Sequence, residues 1–283
     1  MDYTLPEYTL SLSFFLAPNI LITYCLFKRK LLSIDQKKSF FLNVFFLSMV
    51  GVVLDLAFAH LFFSFPNESM VIGINIFKIP IEEFIFYFSG FYFILGSYIV
   101  FNHMAFKNKS YVGNYIRHSK YIERKTDLVN EIVNLSIVFY IVCVSFAVII
   151  CFHFFNKEGS FPGYATFLAI FAYFPYVIFG KKSFRHLNIE SFILTLFTIT
   201  ALSYFWEVEL ALPRGYWGYN QSYMLGIYIP WFNNIPIEAI TVWIYSTLII
   251  FTYEFTNAVI KNYNWFQVPP KKLLMKSIFF KSE

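Results

Sequence analysis

Seven carboxylic acids stand in or at the edge of long apolar stretches of this chain: Asp55, Glu82, Glu83, Glu207, Glu209, Glu238 and Glu254. No Lys or Arg falls within the interior of those stretches. An ionised acid at bilayer depth costs about 2.5 kcal/mol or more. Desolvation without a neighbouring cation favours the neutral form of a carboxyl. A neutral carboxyl held in an apolar site is a Brønsted acid that can protonate a substrate. Each acid also has a plainer role. Glu82 and Glu238 follow Pro80 and Pro236 by two residues, so either can simply complement the dipole of a helix's first turn. Asp55 and Glu207 lie deeper, where an interhelical hydrogen bond is the ordinary use of an acid. Glu209 falls at the outer interface. Glu254 is sixteen residues beyond Glu238, about 24 Å along a helix, and is expected to snorkel or cap near the cytoplasmic face.

The elements that carry these acids follow from composition. Of 283 residues, 58% are hydrophobic, 23% aromatic and only 14% charged. A soluble domain carries about 25% charged residues and could not hide this much apolar surface. Lipid is therefore the expected solvent, and a soluble enzyme, a nucleic-acid binder and a disordered chain are excluded. A bilayer needs about 20 apolar helical residues per crossing. Seven stretches qualify: 9–27, 39–65, 79–102, 131–154, 161–180, 188–210 and 235–260. Nineteen Lys and Arg fall on alternate loops and the C-terminal tail, against Lys78, Lys157 and Arg214 on the opposite side. The positive-inside rule then puts the N-terminus outside and the C-terminus in the cytoplasm. The net charge of +5 is accounted for by topology, with some attraction to anionic lipid. The acidic start, Met1 to Glu7, does not fit a cleavable signal peptide.

One pattern occurs twice. Asn67-Glu68-Ser69-Met70-Val71-Ile72-Gly73-Ile74 leads to Ile79-Pro80-Ile81-Glu82. Asn220-Gln221-Ser222-Tyr223-Met224-Leu225-Gly226-Ile227 leads to Ile235-Pro236-Ile237-Glu238, with three extra residues before the proline. Upstream, Asp55 matches Glu207 to within a residue. Spans one to three thus correspond to spans five to seven. One joining span gives both copies the same orientation, a parallel repeat with its pseudo-axis along the membrane normal. The expected fold is all-α: an integral membrane bundle of seven transmembrane helices, two parallel three-helix repeats joined by a central helix. The expected divisions are 1–104 for the first repeat, 105–158 for a cytoplasmic loop and the linking helix, 159–262 for the second repeat and 263–283 for a cytoplasmic tail.

Other chemistries find no residues to carry them. Cys25, Cys143 and Cys151 lie in apolar runs without metal or disulfide spacing. The five histidines form no HxxHH-type cluster, there is no GxGxxG, no aspartate-rich motif for a diphosphate, and no lysine in the seventh span for a Schiff base. Acid–base chemistry on an apolar substrate remains, with no metal and no cofactor expected. Aromatic side chains near the acids, among them Phe84, Phe86, Tyr87, Trp206, Trp217, Tyr219, Trp231 and Trp243, could stabilise a carbocation through their π faces. Most aromatics in such a chain face lipid or form interfacial belts.

The repeated residues resemble the membrane-embedded carotenoid cyclases, of the heterodimeric or fused lycopene cyclase type. Copy one supplies Asp55 and Pro80-Ile81-Glu82-Glu83-Phe84; copy two supplies Trp206-Glu207, Trp217-Gly218-Tyr219-Asn220 and Pro236-Ile237-Glu238. The likeness covers both triplets. Copy one departs from the family pattern at Phe65-Pro66, and copy two has Ala239 where a second acid is usual. The resemblance implies β-cyclisation of lycopene or a related linear carotene. It implies that Glu82, with Glu83, and Glu238 supply the acid and base, and that Asp55 and Glu207 tune or relay protons. Asn67, Trp217, Tyr219 and Asn220, with Phe84 and Trp206, would bind and enclose the substrate. The expected partners are a membrane-dissolved carotenoid and the lipid bilayer, with no nucleic acid and no separate partner half; a second copy of the chain is a candidate partner. The expected location is a prokaryotic cytoplasmic membrane. Another membrane terpene or meroterpenoid cyclase, and a small non-enzymatic transporter-like bundle, are the alternatives.

Overall fold

Polar side chains in lipid turn inward, because packing and hydrogen bonds, not water exclusion, hold membrane helices together. The helix Ile34–Phe62 follows that rule: it buries Ser39, Asn43 and Ser48 and turns Phe45 (60% exposed) and Phe46 (61%) outward. The computed structural model describes residues 6–64, 68–104, 163–184 and 186–263. Within them six helices are long and apolar enough to cross a membrane. They are α1 (Glu7–Lys28), α2 (Ile34–Phe62), α3 (Ile81–Met104), α4 (Gly163–Gly180), α5 (Ile189–Arg214) and α6 (Ile237–Asn257). These are six of the seven expected spans, and the chain is an all-α integral membrane bundle to that extent. The expected span 131–154 lies outside the described residues, as do Asn67, Cys143 and Cys151.

Local sequence explains the helix ends. Ser33 and Gln36 form a reciprocal capping box at the start of α2. Asn188 accepts from Ser191 N–H at the start of α5. Four of the described helices depart from regular α geometry. π-Helical turns occur at Tyr24–Lys28 in α1, Ala169–Tyr173 in α4 and Glu207–Ala211 in α5, and α6 is interrupted at Thr247.

Polar bonds tie the helices together. Asn19 donates to the Ser89 carbonyl (2.8 Å), and Ser183 to that of Phe251 (2.6 Å). Such bonds are worth about 0.6–2 kcal/mol each in a membrane. Helices α1 and α3 approach closely at Gly96, where a Cβ would come within 2.3 Å of Ile22. The core is aromatic. Trp206 is fully buried, stacks on Phe86 (centroids 5.0 Å apart) and meets Trp217 at 4.9 Å.

One end of the bundle carries two matching hairpins. In the first, β2 (Asn75–Ile76) pairs with β3 (Ile79–Pro80); in the second, β5 (Tyr228–Ile229) pairs with β6 (Ile235–Pro236). A 3-10 turn precedes each, Glu68–Met70 and Gln221–Tyr223. Gly73 (φ +88°) and Gly226 (φ +78°) occupy the same left-handed position, which a side chain would strain. The three extra residues of the second copy form the turn Pro230–Phe232. A third pair, β1 (Phe63–Ser64) with β4 (Gly218–Tyr219), joins the end of α2 to the loop after α5. Asn220 completes that join. Its backbone N–H meets the Phe62 carbonyl (2.8 Å) and its side chain the Leu61 carbonyl (3.0 Å).

Candidate functional site

The first turn of α3 presents Glu82 and Glu83 in different directions, because adjacent helical residues point about 100° apart. Glu83 borders an internal cavity of about 240 Å³ near the hairpin end of the bundle. Asp55 of α2 and Glu207 of α5 border the same cavity. Each of the three acids accepts a hydrogen bond from an aromatic side chain. Tyr8 donates to Glu83, and Tyr87 donates to Asp55 (2.8 Å). Glu207 accepts from Tyr219 and from the indole N–H of Trp243 (3.2 Å). Glu207 also opens the π-helical turn of α5, a local form that recurs at functional sites.

The rest of the described lining is apolar and aromatic apart from Ser246. Phe86, Tyr87 and Phe91 contribute from α3, Tyr164 and Phe167 from α4, and Val242 and Trp243 from α6. Trp217 and Tyr219 reach it from the loop after α5. None of the described lining residues is Lys, Arg or His. Tyr219 lies outside the spans. Burial, reinforced by the Glu207 carboxyl beside it, pushes its phenol well above the ordinary range. It therefore stays protonated and serves Glu207 as a donor. Among the described residues no group of three His, Cys, Asp or Glu is arranged to hold a metal ion.

Glu82 and Glu238 occupy different ground. Neither is among the described residues that line the cavity. Glu82 accepts from Ile72 N–H (2.7 Å) and Thr9 Oγ1 (2.7 Å); Glu238 accepts from Leu225 N–H (2.6 Å). Ile72 and Leu225 are equivalent positions of the duplicated pattern, so both acids make the same clasp on the loop before their helix. Both are buried, and Oε2 of each has no hydrogen-bond partner among the described residues.

The remaining expected site residues separate in the same way. Trp217 and Tyr219 border the cavity. Trp206 packs behind it against Phe86 and Phe15. Phe84 belongs to a separate cluster with Ala59 and Ile79, and faces a shallow groove between α1 and α3. Asn220 holds the end of α2, and Asn67 lies outside the described residues. Glu209 is exposed. Glu254 does not snorkel: it accepts from Tyr98 Oη (2.8 Å), which in turn accepts from Asn188 N–H (3.1 Å) at the far end of the bundle.

The N-terminal turn belongs to the site as well, although it lies outside the duplicated pattern. Glu7 pairs with Arg214 (2.7 Å), Tyr8 holds Glu83 and Thr9 holds Glu82. Tyr8 is fully buried, stacked on Tyr216 at 5.1 Å. No sequence signal marks it, because its partner is 75 residues away. Tyr164, Phe167 and Phe171 of α4 were equally silent among many aromatics.

The chain matches no protein-family model, and neither a curated protein nor a solved structure is significantly similar to it.

Proposed function

We propose that the chain is a membrane-embedded carotenoid cyclase that closes the ψ-ends of lycopene, or of a related linear carotene, into β-rings. The observation that carries this reading is the cavity itself. Three acids meet at one end of an aromatic pocket with no Lys, Arg or His among its described lining residues, inside a bundle of apolar helices. The reaction is redox-neutral. One of Asp55, Glu83 and Glu207 protonates the terminal double bond of the ψ-end. The tertiary cation is attacked by the neighbouring internal double bond, and the ring closes. A second acid of the set, as carboxylate, removes a ring proton and leaves the new double bond. One proton enters and one leaves. The π faces of Phe86, Trp217 and Trp243 stabilise the cation in the meantime.

In this reading Glu82 and Glu238 act as clasps that fix the hairpins over the site, and Asp55, Glu83 and Glu207 take the acid and base roles that the resemblance implies for Glu82, Glu83 and Glu238. The seven-span topology, the parallel repeat and the orientation with the N-terminus outside belong to the same proposal. They put the acids in the outer half of the bilayer. Support for the repeat comes from the matched hairpins and from the matched bonds of Glu82 and Glu238.

The test is pigment chromatography on lycopene-accumulating cells with and without the chain. Loss of lycopene and appearance of γ- or β-carotene establishes the activity. Unchanged lycopene, with the protein present in the membrane, rejects it in favour of another polyene or terpenoid substrate.

A further inference from the structure

We propose that the cavity is loaded sideways from the bilayer, through the seam between α2 and α4, by one end of a linear polyene whose remaining length stays in the lipid. The choice of lycopene as the polyene, here and in the test below, rests on the cyclase reading.

The cavity is elongated along the helices. On α3 its lining runs from Glu83 to Ile94, eleven residues or about 16 Å. The acids occupy the hairpin end, whereas Leu47, Ile94 and Leu248 line the other. A cavity of about 150 Å³ holds benzene, so one of 240 Å³ holds on the order of ten carbons. That matches one ring-forming end with its methyl groups. A linear carotene is several times longer, so most of it must lie elsewhere.

The seam supplies the place where it leaves. Towards the hairpins α2 and α4 are closed by ring contacts, Phe62 with Tyr164 at 5.1 Å, and Phe58 with Phe167 at 5.5 Å and with Phe171 at 5.9 Å. Further along, Val50 and Leu54 of α2 and Phe171 and Ala172 of α4 all border the cavity. Val50 is also 37% exposed and Phe171 42%. Val50 and Phe171 therefore touch both the cavity and the exposed surface of the described residues. None of the four side chains carries a polar group, as a hydrocarbon passage requires. Phe171 and Ala172 fall in the π-helical turn of α4, a form that recurs at functional sites.

The experiment narrows the seam. Val50→Phe, Leu54→Phe and Ala172→Phe are each compared with wild type and with Ile193→Phe, which adds bulk at a 58% exposed position of α5. All are produced in lycopene-accumulating cells and accepted only when monodisperse after purification. Two quantities are read: conversion of lycopene, and lycopene retained per purified chain. The seam variants are expected to lose at least five-fold in both, with Ile193→Phe equal to wild type. Wild-type values in all three seam variants overturn the proposal. Reduced conversion with undiminished retention overturns it too, since loading is then intact. A wild type that retains lycopene without converting it, and loses that retention in the seam variants, supports the seam and rejects the cyclase chemistry. A wild type that neither retains nor converts lycopene overturns both.

Discussion

Trp243 donates its indole N–H to Glu207 over 3.2 Å, and Tyr87, at the matching position of the first half, donates its hydroxyl to Asp55 over 2.8 Å. Each donor stands five residues after the clasping Glu238 or Glu82. The pattern that starts the helix thus also sets a donor one and a half turns later, aimed at an acid on the preceding helix. A lost hydrogen bond to such a group costs about 1–3 kcal/mol. Trp243→Phe and Tyr87→Phe are expected to lower lycopene conversion by roughly ten-fold or more. The thermal midpoint in detergent should fall by a few degrees in Tyr87→Phe, whose ring remains, and further in Trp243→Phe, which loses part of a buried indole.

The clasps make a different prediction. Glu82→Ala and Glu238→Ala leave the Ile72 or Leu225 N–H without its acceptor, at a cost of about 1–3 kcal/mol of stability. Glu82→Gln and Glu238→Gln keep an acceptor oxygen and should keep most activity. Glu83→Gln, Asp55→Asn and Glu207→Gln should abolish it. Pigment yield beside thermal unfolding separates the two groups. Loss of activity in both clasp glutamines at unchanged stability would return these residues to the chemistry.

Gly51 is a sensitive point on α2. A Cβ there would lie 2.7 Å from the Tyr87 ring. Gly51→Ala must push that ring away from Asp55, with an overpacking cost of about 1–3 kcal/mol. Conversion should fall as it does in Tyr87→Phe, and the double variant should be no worse than the worse single one.

Tyr8 ties the N-terminal turn to Glu83. Tyr8→Phe preserves the stack on Tyr216 and should reduce conversion with little change in stability. Tyr8→Ala empties a fully buried ring site, which costs about 3–5 kcal/mol for a large aromatic. Its yield of folded protein should drop before its activity can be read.

The far end of the bundle provides the contrast. Tyr98→Phe removes the donor to Glu254, which does not border the cavity among its described lining residues. Thermal unfolding should come earlier, while turnover per folded chain stays at the wild-type value.

The sequence made the spans legible because lipid forces long apolar runs and pushes basic residues to alternate loops. Asp55 and Glu207 stood out because acids are costly at that depth. The duplication was readable from the repeated Asn, Gly and Pro positions, down to the three-residue insertion, whereas the pairing of each copy as a hairpin was not. What spacing could not tell was which of Glu82 and Glu83 faces the cavity, since that depends on how α3 is rotated against α2 and α5. Nor could it reveal Tyr8 and Thr9, whose contacts are made across 75 and 73 residues. Trp206 looked like a pocket residue beside Glu207, but its ring points into the stack with Phe86.

The strand pair of Phe63–Ser64 with Gly218–Tyr219 has a consequence for cutting the chain. Covalently, the first three helices and the last three are connected by residues 105–162 alone. Laterally they are also stitched by Asn220 on α2, by Glu7 with Arg214, and by Phe86 with Trp206. Two fragments produced by a break in the connecting stretch would therefore reassociate in the membrane and melt together as one unit.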